Sequence, residues 1–124
     1  MLGDLAVVVV AVFFAGMGLL ALARPPEIVG RFGIDLGGTD GRNEVRAVYG
    51  GFGLAIAAVL GVAVGAEGGF RDGVLVAVAV ALYGMAAGRL VGWATERPAR
   101  GSQTPLWFVV ELVLGSLTLV GLSG

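Results

Sequence analysis

The chain has 124 residues, is 57% hydrophobic and only 14% charged, and carries a net charge of −1. An ordinary soluble domain has about 25% charged residues, and a small one leaves too much surface exposed to hide this much apolar side chain, so lipid is the expected solvent. The near-zero net charge recommends no nucleic acid partner, and the complete lack of Cys and His removes thiolate chemistry, disulfides and nearly every zinc or copper site, so no metal and no cofactor is expected.

Four apolar runs follow in chain order. Residues 5–23 are 19 without a charge, closed by "RPPE". The start "MLGD" has no positive charge and the run exceeds the about 7 to 15 residues of a signal-peptide core, so a retained helix is expected. Residues 47–66 are 20 without a charge. Residues 73–94 are 22, broken only by Arg89, and residues 106–122 are 17, broken only by Glu111. A bilayer core needs roughly 17 to 25 helical residues, and backbone inside lipid must satisfy its own hydrogen bonds, which selects helices. The expected fold is therefore all-α, an integral membrane four-helix bundle forming one transmembrane domain over residues 1–124.

The connections differ. Residues 24–46 are long and glycine-rich, yet "PPEIVGRFGI" carries enough apolar side chains to dock. An ordered loop between helices one and two is expected, with Ile28, Val29, Phe32 and Ile34 against the bundle end. Residues 67–72 read as a tight turn, making helices two and three antiparallel neighbours. Residues 95–105 form a third, polar loop. Arg24, Arg31, Arg42, Arg46, Arg97 and Arg100 fall in the first and third loops, and only Arg71 in the second. The positive-inside rule then places both termini outside and the Arg-rich loops in the cytoplasm. The expected location is the bacterial inner (cytoplasmic) membrane, crossed several times.

Candidate chemistry gathers at the cytoplasmic end. Arg89 lies near the end of helix three and Glu111 near the start of helix four, at matched depth. Neither faces lipid cheaply, since a charge at the helix centre costs about 2.5–3.5 kcal/mol, so the two are expected to pair inside the bundle. Arg46 or Tyr49 is expected to complete the cluster, with Glu44 nearby. At 100° per residue, Arg46, Tyr49, Gly50, Gly53, Ala57 and Gly61 share a side of helix two. Trp107, Glu111, Gly115 and Thr118 share one on helix four, and Arg89 shares one with Leu82, Met85 and Trp93. Gly84, Gly88 and Gly92 make a separate ridge that reads as helix packing. Plainer roles stand beside these: Arg46 as a snorkelling anchor, the Arg89–Glu111 pair as a clasp that fixes register, the two Trp residues as an aromatic belt.

"NEVRAVYGGFGLAIA", then "GRLVG" in the third run, then a proline and a Glu in the fourth, resemble a family of small four-helix bacterial membrane proteins, domain of unknown function 4345. The first-run "AGMGLLAL" followed by prolines also fits. The resemblance covers most of the chain and implies a four-helix membrane domain. It implies no activity, so it adds weight to Arg46, Tyr49, Gly50, Arg89 and Glu111 as a set without giving any of them a catalytic role.

The expected function is binding of an amphiphilic or anionic small molecule, or a lipid, at the cytoplasmic end, with Arg46, Tyr49, Gly50, Arg89 and Glu111 as the ligand-binding set. Partners are then the bilayer and that ligand, with homo-oligomerisation open. One alternative is a structural or assembly subunit without ligand. Another is a metal-free isomerase or cyclase with Glu111 as the candidate catalytic acid or base. A proton-coupled exporter needs an unpaired membrane carboxylate, which Arg89 argues against.

Overall fold

A computed structural model describes residues 1–123, and the described residues are all-helical, with no strand. Helix α1 spans Leu2–Ala23. Short α2, Pro25–Val29, starts on a proline that lacks only an amide with no intrahelical partner. A 3-10 turn Gly30–Phe32 prolongs it, and Gly33 in the left-handed region (φ 78) stops it. Helix α3, Thr39–Val45, runs through a π-helical turn Arg46–Gly51 into α4, Phe52–Val64. Helix α5 is Gly68–Thr95, and α6 is Thr104–Val120, followed by a 3-10 turn Gly121–Ser123.

Two boundaries differ from the sequence reading by five residues or more. Helical structure before α4 begins at Thr39, eight residues before the expected start at 47. "TDGRNEV" is polar enough to read as a solvated connector, yet it extends the helix. Gly41 is required there, because a Cβ would run into the Leu36 carbonyl oxygen. Helix α5 begins at Gly68 instead of 73, so the link to α4 shrinks to 65–67 and Arg71 becomes helical and buried.

Three helices are long and apolar enough to cross a membrane: α1, the continuous Thr39–Val64 and α5. Helix α6 is also apolar but has 17 residues. The outer surface suits lipid, with Val12, Val62, Val80, Val91 and Leu106 each more than half exposed. Inside, Val7, Val10 and Phe14 of α1 meet Leu60, Leu75, Val78, Leu82 and Leu114. Lipid tails are as apolar as leucine, so in a bilayer such contacts hold through close fit more than through exclusion of water.

That fit is closest between α1 and α4. A Cβ on Gly18 would come within 2.9 Å of the Gly50 carbonyl and the Leu54 amide, and one on Gly53 within 3.1 Å of the Phe14 carbonyl. Three glycines thus bring two backbones into contact. Helix α5 pairs as extensively with α6. The expected neighbours α4 and α5 do touch, but much less.

The expected small-residue faces are only partly used. Gly61 meets nothing within 4 Å, nor do Gly84, Gly88 and Gly92, so the α5 ridge is bare and is not the packing seam expected. Met85 lies on the Arg89 side as expected, but that side is open there, and Met85 is exposed at 48%. The π turn explains another departure. Val45 and Gly50 are both buried although five residues apart, a spacing that an α-helix would set about 140° apart. A turn with i→i+5 bonds returns both to the side facing α1.

Candidate functional site

Arg89 lies six residues before the end of α5 and Glu111 seven after the start of α6, each about 10 Å below its helix end. Matched depth brings them together, as their positions suggested. Arg89 Nε donates to Glu111 Oε1 at 2.8 Å, and Nη2 donates to Oε2 at 2.7 Å. This is the two-pronged geometry that makes arginine–carboxylate pairs strong and directional. Glu111 is 3% exposed, while the Arg89 side chain keeps 23%. The third guanidinium nitrogen, Nη1, makes no hydrogen bond among the described residues, and no buried side-chain polar atom among them lacks a partner.

The connector between α1 and α3 covers this pair. The Phe32 ring sits 5.7 Å from Arg89 Cζ, and Arg31 Cζ sits 5.6 Å from the Trp107 ring. A cation over an aromatic face is worth about 0.5–1 kcal/mol when exposed and more when desolvated. Val29 is 4% exposed and packs with Ala21 and Val45, and Ile28 and Leu36 close around them. Ile34 does not dock as expected; it is 52% exposed, since Gly33 turns the chain outward and Leu36 takes the inward place.

The other expected site residues divide. Arg46 does not join Glu111. Its Nε donates to the Leu22 carbonyl at 3.1 Å, one of the last carbonyls of α1, which have no intrahelical donor and favour a cation. Glu44 stays exposed. Tyr49 packs on the Ala21–Val29–Val45 cluster, lies in electrostatic range of Arg89, and its hydroxyl has no hydrogen-bond partner among the described residues. Gly50 is a packing residue, since a Cβ there would strike the Leu22 side chain at 2.8 Å. Arg46, Tyr49 and Gly50 all lie in the π turn, a distortion frequent at functional sites.

Sequence reasoning missed a groove beside the pair. Arg89, Gly88, Gly92, Trp93, Ser102 and Thr104 are among the residues that line about 530 Å³ of open space. Trp93 Nε1 donates to Thr104 Oγ1 at 3.2 Å, and its ring lies 5.2 Å from that of Phe108. Ser102 Oγ accepts from the Thr104 amide at 3.1 Å, satisfying an early donor of α6. Part of the signal was present in the spacing of Arg89 and Trp93, one face of a helix; Glu96 joins them from just past its end at Thr95.

It also missed Arg71. At the opposite end, Arg71 Nη1 donates to the carbonyls of Ala63 (3.0 Å) and Val64 (3.3 Å), and Nη2 to that of Gly121 (3.2 Å). Nη2 also pairs with Asp4 at 2.9 Å. One side chain thus ties α1, α4, α5 and the end of α6. Carrying the Leu75, Val78, Leu82 spacing back one turn from Leu75 reaches Arg71.

Apolar helices of membrane length around a buried, covered ion pair, with a second charged tie at Arg71 at their other end, define a helical membrane protein. Residues 4–122 match the family described as Domain of unknown function (DUF4345), and the chain belongs to that family. No curated protein and no solved structure matches it.

Proposed function

We propose that the chain is an integral membrane four-helix bundle of the bacterial inner membrane, with both termini outside, and that it binds an amphiphile or lipid with an anionic group at its cytoplasmic end. One observation carries this reading: Glu111 holds Arg89 rigidly through two hydrogen bonds, yet Arg89 still lines an open groove with Nη1 unspent. An anionic head group fits a positioned donor of this kind, and the bare Gly88 and Gly92 let an apolar chain lie against the helix backbone. Phe32 lies over the Arg89 guanidinium and helps to hold it in place. The six-to-one distribution of loop arginines supports the orientation, with Arg71 now a helix-end residue on the poorer side.

The ligand-free structural reading draws support from the same pair, since it leaves no buried polar atom unsatisfied among the described residues. Catalysis by Glu111 is less favoured, because Arg89 engages both carboxylate oxygens. The test replaces both partners, Arg89→Met with Glu111→Leu, which strands no charge, whereas losing one partner of a buried pair costs about 3–5 kcal/mol. The purified double variant is expected to stay folded and to lose the amphiphile that native mass spectrometry detects on the wild type. A double variant that keeps its amphiphile makes the pair a clasp and refutes the binding reading.

A further inference from the structure

The groove carries both signs of charge in a fixed order along α5. Met85 and Gly88 lie deepest, Arg89 follows, then Gly92 and Trp93, and Glu96 stands at the mouth. Arg89 and Trp93 are four residues apart and share one helix face. Glu96 follows directly on Thr95, the last residue of α5, in extended backbone, and lines the same groove. It stands seven residues beyond Arg89, about 10 Å along the axis. Glu96 has no ion pair and no side-chain hydrogen bond among the described residues. Its neighbours Arg97 and Arg100 lie outside the groove lining.

We infer that the groove takes a zwitterionic phospholipid, with its phosphate at Arg89 Nη1, its ammonium group at Glu96 and an acyl chain over Gly88 and Met85. This rests on the lipid reading given above and names the head group. A purely anionic head group satisfies Arg89 but sets its negative charge toward Glu96. A two-carbon phosphoethanolamine unit supplies both signs in the order the groove presents them. Charge-assisted hydrogen bonds of about 2.8 Å at each end help it span the interval. Trp93, fixed by its bond to Thr104 and its contact with Phe108, forms a rigid wall between the two charges.

The experiment uses the full chain in detergent micelles doped with equal amounts of phosphatidylethanolamine and phosphatidylglycerol of identical acyl chains, and native mass spectrometry reads the bound ratio. The expected ratio favours phosphatidylethanolamine by about two- to fivefold, the range an exposed ion pair carries. Glu96→Gln is expected to bring it to parity by weakening phosphatidylethanolamine while phosphatidylglycerol stays bound, and Glu96→Lys to invert it. Gly92→Leu fills the groove and meets nothing within 4 Å of its Cβ; it is expected to remove both lipids. If Gly92→Leu leaves both adducts in place, the groove is not the site and the binding reading itself falls. If Gly92→Leu removes both lipids but Glu96→Gln leaves the ratio unchanged, only the zwitterionic assignment is overturned. Displacement of the lipid by an equal concentration of soluble phosphoethanolamine would also overturn it, by showing that the acyl chain contributes nothing.

Discussion

Replacing Arg71 with Met tests what holds the far end of the helices together. Arg71 is 7% exposed and satisfies three carbonyls at the ends of α4 and α6 while pairing with Asp4. A hydrogen bond to a charged group contributes about 1.5–3 kcal/mol. The three share one guanidinium and do not add in full. Asp4 is 48% exposed at its side chain and regains water once its partner is gone. The loss is therefore expected near the lower end for a broken buried charge network, about 3 kcal/mol. Asp4→Asn removes only the half-exposed ion pair, and after solvent screening its cost is expected below about 1 kcal/mol. Reversible unfolding of the purified chain by sodium dodecyl sulfate in mixed micelles measures both. Equal losses for the two variants would show that the ion pair, and not the carbonyl caps, dominates. A loss under about 1 kcal/mol for Arg71→Met would refute the assignment of Arg71 as the tie.

Three further outcomes are expected. Gly18→Ala places a methyl 2.9 Å from the Gly50 carbonyl of the π turn and the Leu54 amide of α4 and should cost about 1–3 kcal/mol through forced separation, whereas Gly84→Ala, facing open space, should be neutral or stabilising by up to about 1 kcal/mol in the same assay. Phe32→Ala removes the ring over Arg89 and should cost about 1 kcal/mol, with faster proteolysis between residues 30 and 38 as a second readout. A reporter fused to the C-terminus that requires the cytoplasm should be inactive, and activity there would reverse the proposed topology.

The hydrophobic runs located the long helices because lipid imposes a length and an apolar composition that few other structures share. The Arg89–Glu111 pair was equally legible, since two charges in apolar runs at equal depth have little choice of partner. What escaped were features set by helix ends. Arg71 and Thr39 lie in polar stretches, and polarity alone does not separate a solvated loop from the last turns of a helix. Arg46 holds a helix end, as its plainer reading had it, instead of joining Glu111: the nearest unmet need was an unpaired carbonyl of α1, which composition does not display. The bare Gly84–Gly88–Gly92 ridge shows the limit of small-residue patterns, which permit close approach without naming a partner.

The π turn at Arg46–Gly51 makes the spacing between the connector and α4 a matter of rotation. Loss of one residue there, at exposed Val48 for example, would let the segment close into an uninterrupted α-helix. Val45 and Gly50 would then lie four residues apart, about 40° from each other, and both would still face α1. The π turn thus absorbs one extra residue without turning Thr39–Val45 away from its seat. A homologue one residue shorter here would keep its covering loop on the same helix face by giving up the π turn, whereas a second loss, taken from the uninterrupted helix, would turn Thr39–Val45 by about 100°.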